Sequence, residues 1–221
     1  MRPQPSRSSI EYSSPQPASP PLWDTDFIAQ IQALYDRGLF VQAFTAGASL
    51  GPLQSWRGPE ARILAGRLAS QLFAHRLSDA LMLRLWRTDQ STPAAIYYSA
   101  RALFSRRGSL AALDRLQESQ LLDAESSMRW DATAFAAYLH AQYRDFDRAE
   151  QLIKGALDHS DTAWIWTERT IIYELEDRYE EALTAARQAF ERSQSVPGAI
   201  LCLARALSLF ERDDEAIDLL R

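Results

Sequence analysis

The sequence predicts an all-α protein assembled from about six repeated helical hairpins, and three observations carry that expectation. From Trp23 onward, apolar residues recur three and four positions apart, and no alternating apolar and polar pattern survives six residues. Prolines after the first 22 residues withdraw to boundary positions such as Pro52, Pro59, Pro93 and Pro197. Six related segments, "LFVQAFTAG", "RLSDALMLR", "GSLAALDRL", "DFDRAEQLI", "RYEEALTAA" and "RDDEAIDLL", each set a small residue after a short polar or aromatic turn. The aligned alanines are Ala43, Ala80, Ala112, Ala149, Ala182 and Ala216, spaced by 37, 32, 37, 33 and 34 residues. That period is close to one helix, turn and helix unit of about 34 residues.

Taken in chain order, the first element is not a helix. Residues 1–22 hold six Pro and six Ser with almost no large apolar side chains, too little apolar surface to offset the entropy of ordering. A disordered tail is expected there; the alternative is a Pro-rich docking ligand, because "PQP" and "SPP" favour polyproline II. Residues 23–221 are expected to form the repeat domain, which a longer natural chain would continue past Arg221. Each repeat has a first helix, a turn, and a second helix that opens just before its alanine. In the fifth, the first helix is expected from Thr162 to Glu176, "EDR" turns the chain, and the second runs from Tyr179 to Arg192. Ala182 is small so that the first helix of its own hairpin can approach, and Ala189 so that the next hairpin can. A large side chain at either would overpack a helix crossing at a cost of about 1–3 kcal/mol. The sixth hairpin ends at "EAIDLLR" with Ile217 and Leu220 uncovered. Repeat arrays end in polar capping helices, so the chain is expected to be a piece of a longer protein, or to be capped by a partner or a second copy in a homo-oligomer.

The segment "WIWTERTIIYELEDRYEEALTAARQAF" resembles the tetratricopeptide repeat (TPR) family. Trp166, Tyr173 and Tyr179 fall at its aromatic positions, and Ala182 and Ala189 at its small ones. "LYDRGLFVQAF" is similar, with Gly38, Phe40 and Ala43 at the family's turn glycine, aromatic and alanine. The resemblance spans about residues 24–221 and is degenerate, repeats two and three lacking most of the aromatic landmarks. It implies a right-handed α–α superhelix, a solenoid of stacked hairpins whose concave face holds peptides or partner helices.

Charge is uneven. The chain carries 24 Lys+Arg against 29 Asp+Glu, a net charge of -5 that argues against wholesale binding to nucleic acid or an anionic membrane. Residues 1–144 hold 15 Arg and 12 acids, or +3, whereas residues 145–221 hold 9 basic residues and 17 acids, or -8. Lys154 is the only lysine, which fits GC-rich codon usage as readily as a demand for planar guanidinium groups. Cys202, the single cysteine, cannot close an internal disulfide and sits in the apolar run "AILCLARAL", which suggests a small buried side chain and a reducing compartment. No apolar stretch approaches a membrane span of roughly 18 residues, nor does the N-terminus read as a secretory leader. The expected location is cytoplasmic.

No residue pattern points to catalysis. His75, His140 and His159 are not paired at helical spacing, and none belongs to a Cys/His ligand set, so neither a metal nor any other cofactor is implied. The glycines are spaced as turn residues rather than as a phosphate loop. The acidic run "ELEDRYEE" straddles a turn and reads as a solvated surface. Between Arg57 and Arg115 lie ten arginines and four acids, with Tyr97, Tyr98 and Phe104 interleaved. That surface suits an acidic protein partner or, less simply, RNA; arginines lining outer helix faces are the plainer reading.

The function expected is that of a non-catalytic scaffold for a protein or peptide partner held in the concave groove. The alternatives are an N-terminal regulatory or substrate-holding arm of a larger enzyme, and an RNA-binding helical repeat. The outward face of the first helices collects Tyr97, Tyr98 and Arg101 in repeat three, Phe135 and Tyr138 in repeat four, Trp164 and Glu168 in repeat five, and Arg205 in repeat six. Aromatic and arginine side chains favour peptide hot spots. Two further expectations follow: Arg101→Ala and Tyr138→Ala weaken binding and leave melting nearly unchanged, and the groove is more positive near repeats two and three than near five and six.

Overall fold

The computed structural model describes residues 25–88 and 92–221; the expectation of a disordered tail at 1–22 lies outside the described residues. Within them the chain forms twelve α-helices and no strand. They pair into six hairpins: α1 (Thr25–Asp36) with α2 (Phe40–Ala46), α3 (Pro59–Gln71) with α4 (His75–Thr88), and α5 (Pro93–Arg107) with α6 (Ser109–Glu118). These are followed by α7 (Met128–Ala141) with α8 (Phe146–Leu157), α9 (Ala163–Leu175) with α10 (Tyr179–Arg192), and α11 (Pro197–Ser208) with α12 (Asp213–Leu220). Pro59, Pro93 and Pro197 open α3, α5 and α11, where the missing N–H costs nothing and the fixed φ already suits a helix. The fifth hairpin lies within a residue of its expected bounds.

A sharper ruler than the alanines runs through the turns. In every hairpin one residue between the two helices has positive φ: Gly38, Phe73, Gly108, Arg144, Asp177 and Glu211, spaced by 35, 35, 36, 33 and 34 residues. In five of the six, the next N–H reaches back five residues to the first helix: Leu39 to Leu34, Ala74 to Ala69, Asp145 to His140, Arg178 to Tyr173 and Arg212 to Leu207, at 2.8–3.2 Å. This closure satisfies the carbonyls at the helix end. It also corrects the alignment of the second repeat. Ala43, Ala149, Ala182 and Ala216 each stand five residues after the turn residue and are buried, but five after Phe73 comes Ser78, whereas Ala80 is exposed. The inward stripe of α4 is Ser78, Leu81, Met82 and Leu85, which leaves Ala80 on the outer side.

Four of the six turns place a non-glycine residue at positive φ, which costs roughly 1–2 kcal/mol. Phe73 is 85% exposed at φ 60° and has little packing to offset that cost. Phe73→Gly is therefore expected to raise stability by up to about 1 kcal/mol, the relief exceeding the entropy of a glycine. Thermal melting checks it.

The helices do not run on uninterrupted, as the periodicity from residue 24 to 221 suggests. Between α2 and α3 the chain makes two 3₁₀ turns, Gly47–Leu50 and Leu53–Ser55, and another, Leu121–Asp123, precedes α7. The first interruption is organised by Trp56, 2% exposed, whose Nε1 donates to the Gly51 carbonyl at 3.2 Å. Its ring lies over Gly47, where an added Cβ would stand 2.4 Å from Cζ2 and 2.8 Å from Cη2. A buried indole cannot yield as a flexible chain can. Gly47→Ala is expected to cost about 1–3 kcal/mol, whereas Gly66→Ala, which meets chiefly the mobile end of Met82, is expected to be near neutral. Chemical denaturation of both variants measures the contrast.

At Ala182 the small face serves the close approach of its own hairpin's first helix. Ala182 and Ala189 are wholly buried, and Ala182 packs with Tyr173, Ala185 and the partly buried Trp166. Asp161 accepts from Trp166 Nε1 at 2.7 Å and is ion-paired with Arg192, tying the start of α9 to the end of α10. At the far edge, Ile217 and Leu220 are about half exposed, and Leu201 on α11 is likewise exposed.

Candidate functional site: the concave groove

The first helices of successive hairpins pack in series, α7 and α11 both lying against α9, and turn one common face inward. The end turns of the array also approach: a Cβ on Gly38 would lie 3.5 Å from the Ser195 carbonyl oxygen. The turn of the first hairpin thus abuts the link before α11. The enclosed space is a cavity of about 590 Å³, with walls from α1, α2, α3, α4, α5, α7 and α9 and an edge formed by Ser195, Val196 and Pro197. That volume lies within the usual range of ligand pockets.

All eight residues singled out in the sequence sit on the first helices, but they divide into two groups. Tyr97, Tyr98, Arg101 and Trp164 line the cavity; Phe135, Tyr138, Glu168 and Arg205 do not. Phe135 is wholly buried and Glu168 is 2% exposed, so both lie beneath the surface rather than on it. Phe135 meets Tyr97 edge-on at 6.2 Å and Phe104 at 6.0 Å, and stacks with the partly exposed Tyr138 at 6.1 Å. Arg205 is exposed beyond the cavity and pairs with Glu174, its Nε donating at 3.2 Å, which joins α11 to α9.

Arg101 is the keystone of this floor. Its Nη1 donates to Glu168 Oε1 at 2.8 Å and to the Tyr97 hydroxyl at 3.2 Å, bridging α5 and α9. The guanidinium lies over the Trp164 ring at 4.3 Å and the Phe135 ring at 4.6 Å. Burial raises the Glu168 carboxyl pKa above the ordinary range, with the charge and hydrogen bond of Arg101 pulling the other way. Burial likewise raises Tyr97, whose phenol stays neutral. A cation engaged in this way is not free for a partner. Removing it would strand a buried carboxylate, so Arg101→Ala must lower melting, contrary to the expectation from sequence.

The groove carries mixed charge; its lining arginines, Arg67 and Arg101, come from repeats two and three, and repeats five and six line it with no charged residue. Around the cavity, Arg67 and Arg101 face Asp36, Asp79 and Asp131. Arg67 rests on the Tyr35 ring at 4.3 Å and lies 3.9 Å from Asp36; Arg106 lies 3.5 Å from Asp79. Elsewhere in the arginine-rich stretch, Arg62 donates to Thr88 at 2.9 Å, and Arg115 covers the Trp86 ring at 3.9 Å. These arginines are internal struts as much as surface charge.

Sequence reasoning missed Arg67, Asp131 and the 195–197 edge. Arg67 and Asp131 carry the same first-helix signal as the chosen residues. The edge has no local signal, since the contact with Gly38 spans most of the chain.

The remaining candidates are structural. Cys202 is buried, and burial pushes its thiol up to about 11, away from nucleophilic use. His140 Nδ1 lies 2.9 Å from Asp145 Oδ2, and His159 donates Nδ1–H to the Gly155 carbonyl at 2.9 Å while stacking on Trp130. In "ELEDRYEE", Arg178 pairs with Glu176 at 2.8 Å and Glu181 at 3.0 Å, and the Tyr179 hydroxyl donates to Asp177 at 2.8 Å.

No protein-family model matches the chain, and no curated protein matches it. Solved structures do. The Pseudomonas aeruginosa pilF protein overlays with a TM-score of 0.53 at 15% identity, over 88% of this chain and 87% of that one. Cut9, in the APC/C hetero-tetramer Cut9–Hcn1, overlays with a TM-score of 0.55 at 11% identity, over 90% of this chain and 39% of that one. The fold is a TPR-like solenoid. A tetratricopeptide repeat protein from Parabacteroides merdae is a third neighbour, with a TM-score of 0.47 at 12% identity. Among the described residues, no helix of this TPR-like chain is long and apolar enough to cross a membrane.

Proposed function

We propose that this chain is a non-catalytic protein-interaction scaffold that holds a segment of a protein partner in the concave groove of its TPR-like solenoid. The observation that carries this reading is the cavity itself. A rigid floor of Phe135, Arg101 and Glu168 supports a wall in which Tyr98 and Trp164 keep partly exposed aromatic faces. Large rings on a rigid support lose little entropy when they gain a partner, which is what a binding hot spot requires. The fold is compatible with such use, Cut9 having been solved in complex with Hcn1.

The contact set proposed is Tyr98 and Trp164 in the cavity, with Tyr97 and Arg101 reached only at their exposed edges and Tyr138 and Arg205 beyond the cavity. Tyr98→Ala and Tyr138→Ala are expected to weaken retention of the captured partner about tenfold or more, the loss typical of a hot-spot side chain, while melting falls far less than for Phe135→Ala. Unchanged retention in both variants would move the binding surface to the convex face.

A further inference from the structure

We propose that the cavity recognises a basic side chain, lysine or arginine, in the partner segment, with Asp131 as its counter-ion. This rests on the groove reading above and names the chemistry of what the groove takes. Asp131 stands in the first turn of α7 and lines the cavity. Among the described residues its carboxylate accepts no hydrogen bond and closes no ion pair, unlike its neighbours. Asp36 lies by Arg67, Asp79 by Arg106, Glu168 by Arg101 and Glu174 by Arg205.

Arg101 is close enough to be felt at Asp131, but it is committed to Glu168 at 2.8 Å. One guanidinium therefore serves two carboxylates, and one negative charge is left over on the cavity wall. Burial already disfavours that charge and raises the carboxyl pKa. Its place near the start of α7 helps it, since the helix dipole favours an acid there. The dipole supplies no hydrogen-bond donor, however. A partner's ammonium or guanidinium would supply both the donor and the charge, and the partly exposed Tyr98 ring in the same cavity suits a cation and its aliphatic stem. An uncompensated carboxylate repels phosphate, so the same feature disfavours nucleic acid in this groove.

A random heptapeptide phage library panned on the full chain tests the assignment. The expected outcome is enrichment of arginine or lysine at one fixed position of the selected peptides. A synthetic peptide of that sequence should lose about tenfold in affinity when its arginine becomes citrulline, or its lysine acetyl-lysine, and about tenfold on Asp131→Asn protein, the scale of one close charge pair. The two losses should not add. Asp131→Asn keeps the shape and removes only a disfavoured charge, so it should melt no lower than the parent, which secures the comparison.

Selected peptides with no basic position, or a basic peptide that binds Asp131→Asn undiminished, would overturn the assignment. If such peptides still lose affinity on Tyr98→Ala, the groove reading survives without it. Peptides indifferent to Tyr98→Ala and Asp131→Asn alike, or no selection at all, would overturn both.

Discussion

Arg101→Met is expected to destabilise the protein by about 3 kcal/mol, because it leaves Glu168 buried without its partner. Methionine preserves much of the volume between the Trp164 and Phe135 rings, so the loss reports the charge pair rather than a cavity. Its pH dependence identifies the cause. Burial holds the folded-state pKa of Glu168 above the unfolded value. A carboxyl shifted in that direction contributes stability that is fully present below the unfolded pKa and is lost as pH rises through the folded one. Removing Arg101 moves the folded value further up. The deficit of Arg101→Met relative to the parent should therefore be small in acid, grow as pH rises above the ordinary glutamate range, and level off once Glu168 is ionised in both proteins. Glu168→Gln should restore part of the loss in the Arg101→Met background, since the buried group no longer ionises. A deficit independent of pH would show that packing, not the ion pair, sets the role of Arg101.

Phe135→Ala is expected to cost about 3–5 kcal/mol, the range for truncating a buried phenylalanine, which lowers melting by roughly 10 °C in a domain of this size. Phe135 is wholly buried among Tyr97, Phe104, Tyr138 and the Arg101 guanidinium, so α5 and α7 cannot close the space without leaving their register. Nearest-neighbour coupling in a repeat array makes the damage local first. Hydrogen exchange should rise in α5, α7 and α9 before α1 or α12. Uniform loss of protection along the chain would contradict this picture of the floor.

Four of the six hairpins were legible because each sets an alanine five residues after its turn residue; in the third, Ala112 stands four after Gly108. In the second repeat Ser78 stands five after Phe73 and Ala80 lies two residues along on the outer side, so alanine spacing alone shifts the register of that repeat. The turn itself carries a steadier signal, but Phe73, Arg144, Asp177 and Glu211 hide it, being residues that seldom adopt positive φ. The break around Trp56 was illegible for another reason: its cause is the indole over Gly47, a tertiary contact.

At the site, residue type and helical face were readable, and burial depth was not. Phe135 and Tyr138 sit three residues apart on α7, yet one is interior and the other reaches the surface. The Arg101–Glu168 pair joins residues 67 apart in sequence, and no local pattern announces it. The sequence places Arg101 and Glu168 on one face of successive first helices, and only the fold shows them paired to each other.

The central claim is that the concave cavity, rather than the outer helices, receives the partner. Photo-crosslinking tests it most directly, with p-benzoylphenylalanine placed at Tyr98 in the cavity wall and, separately, at Leu110, exposed on α6. Adducts with the partner from position 98 and none from position 110 are predicted; adducts from position 110 alone would contradict the account.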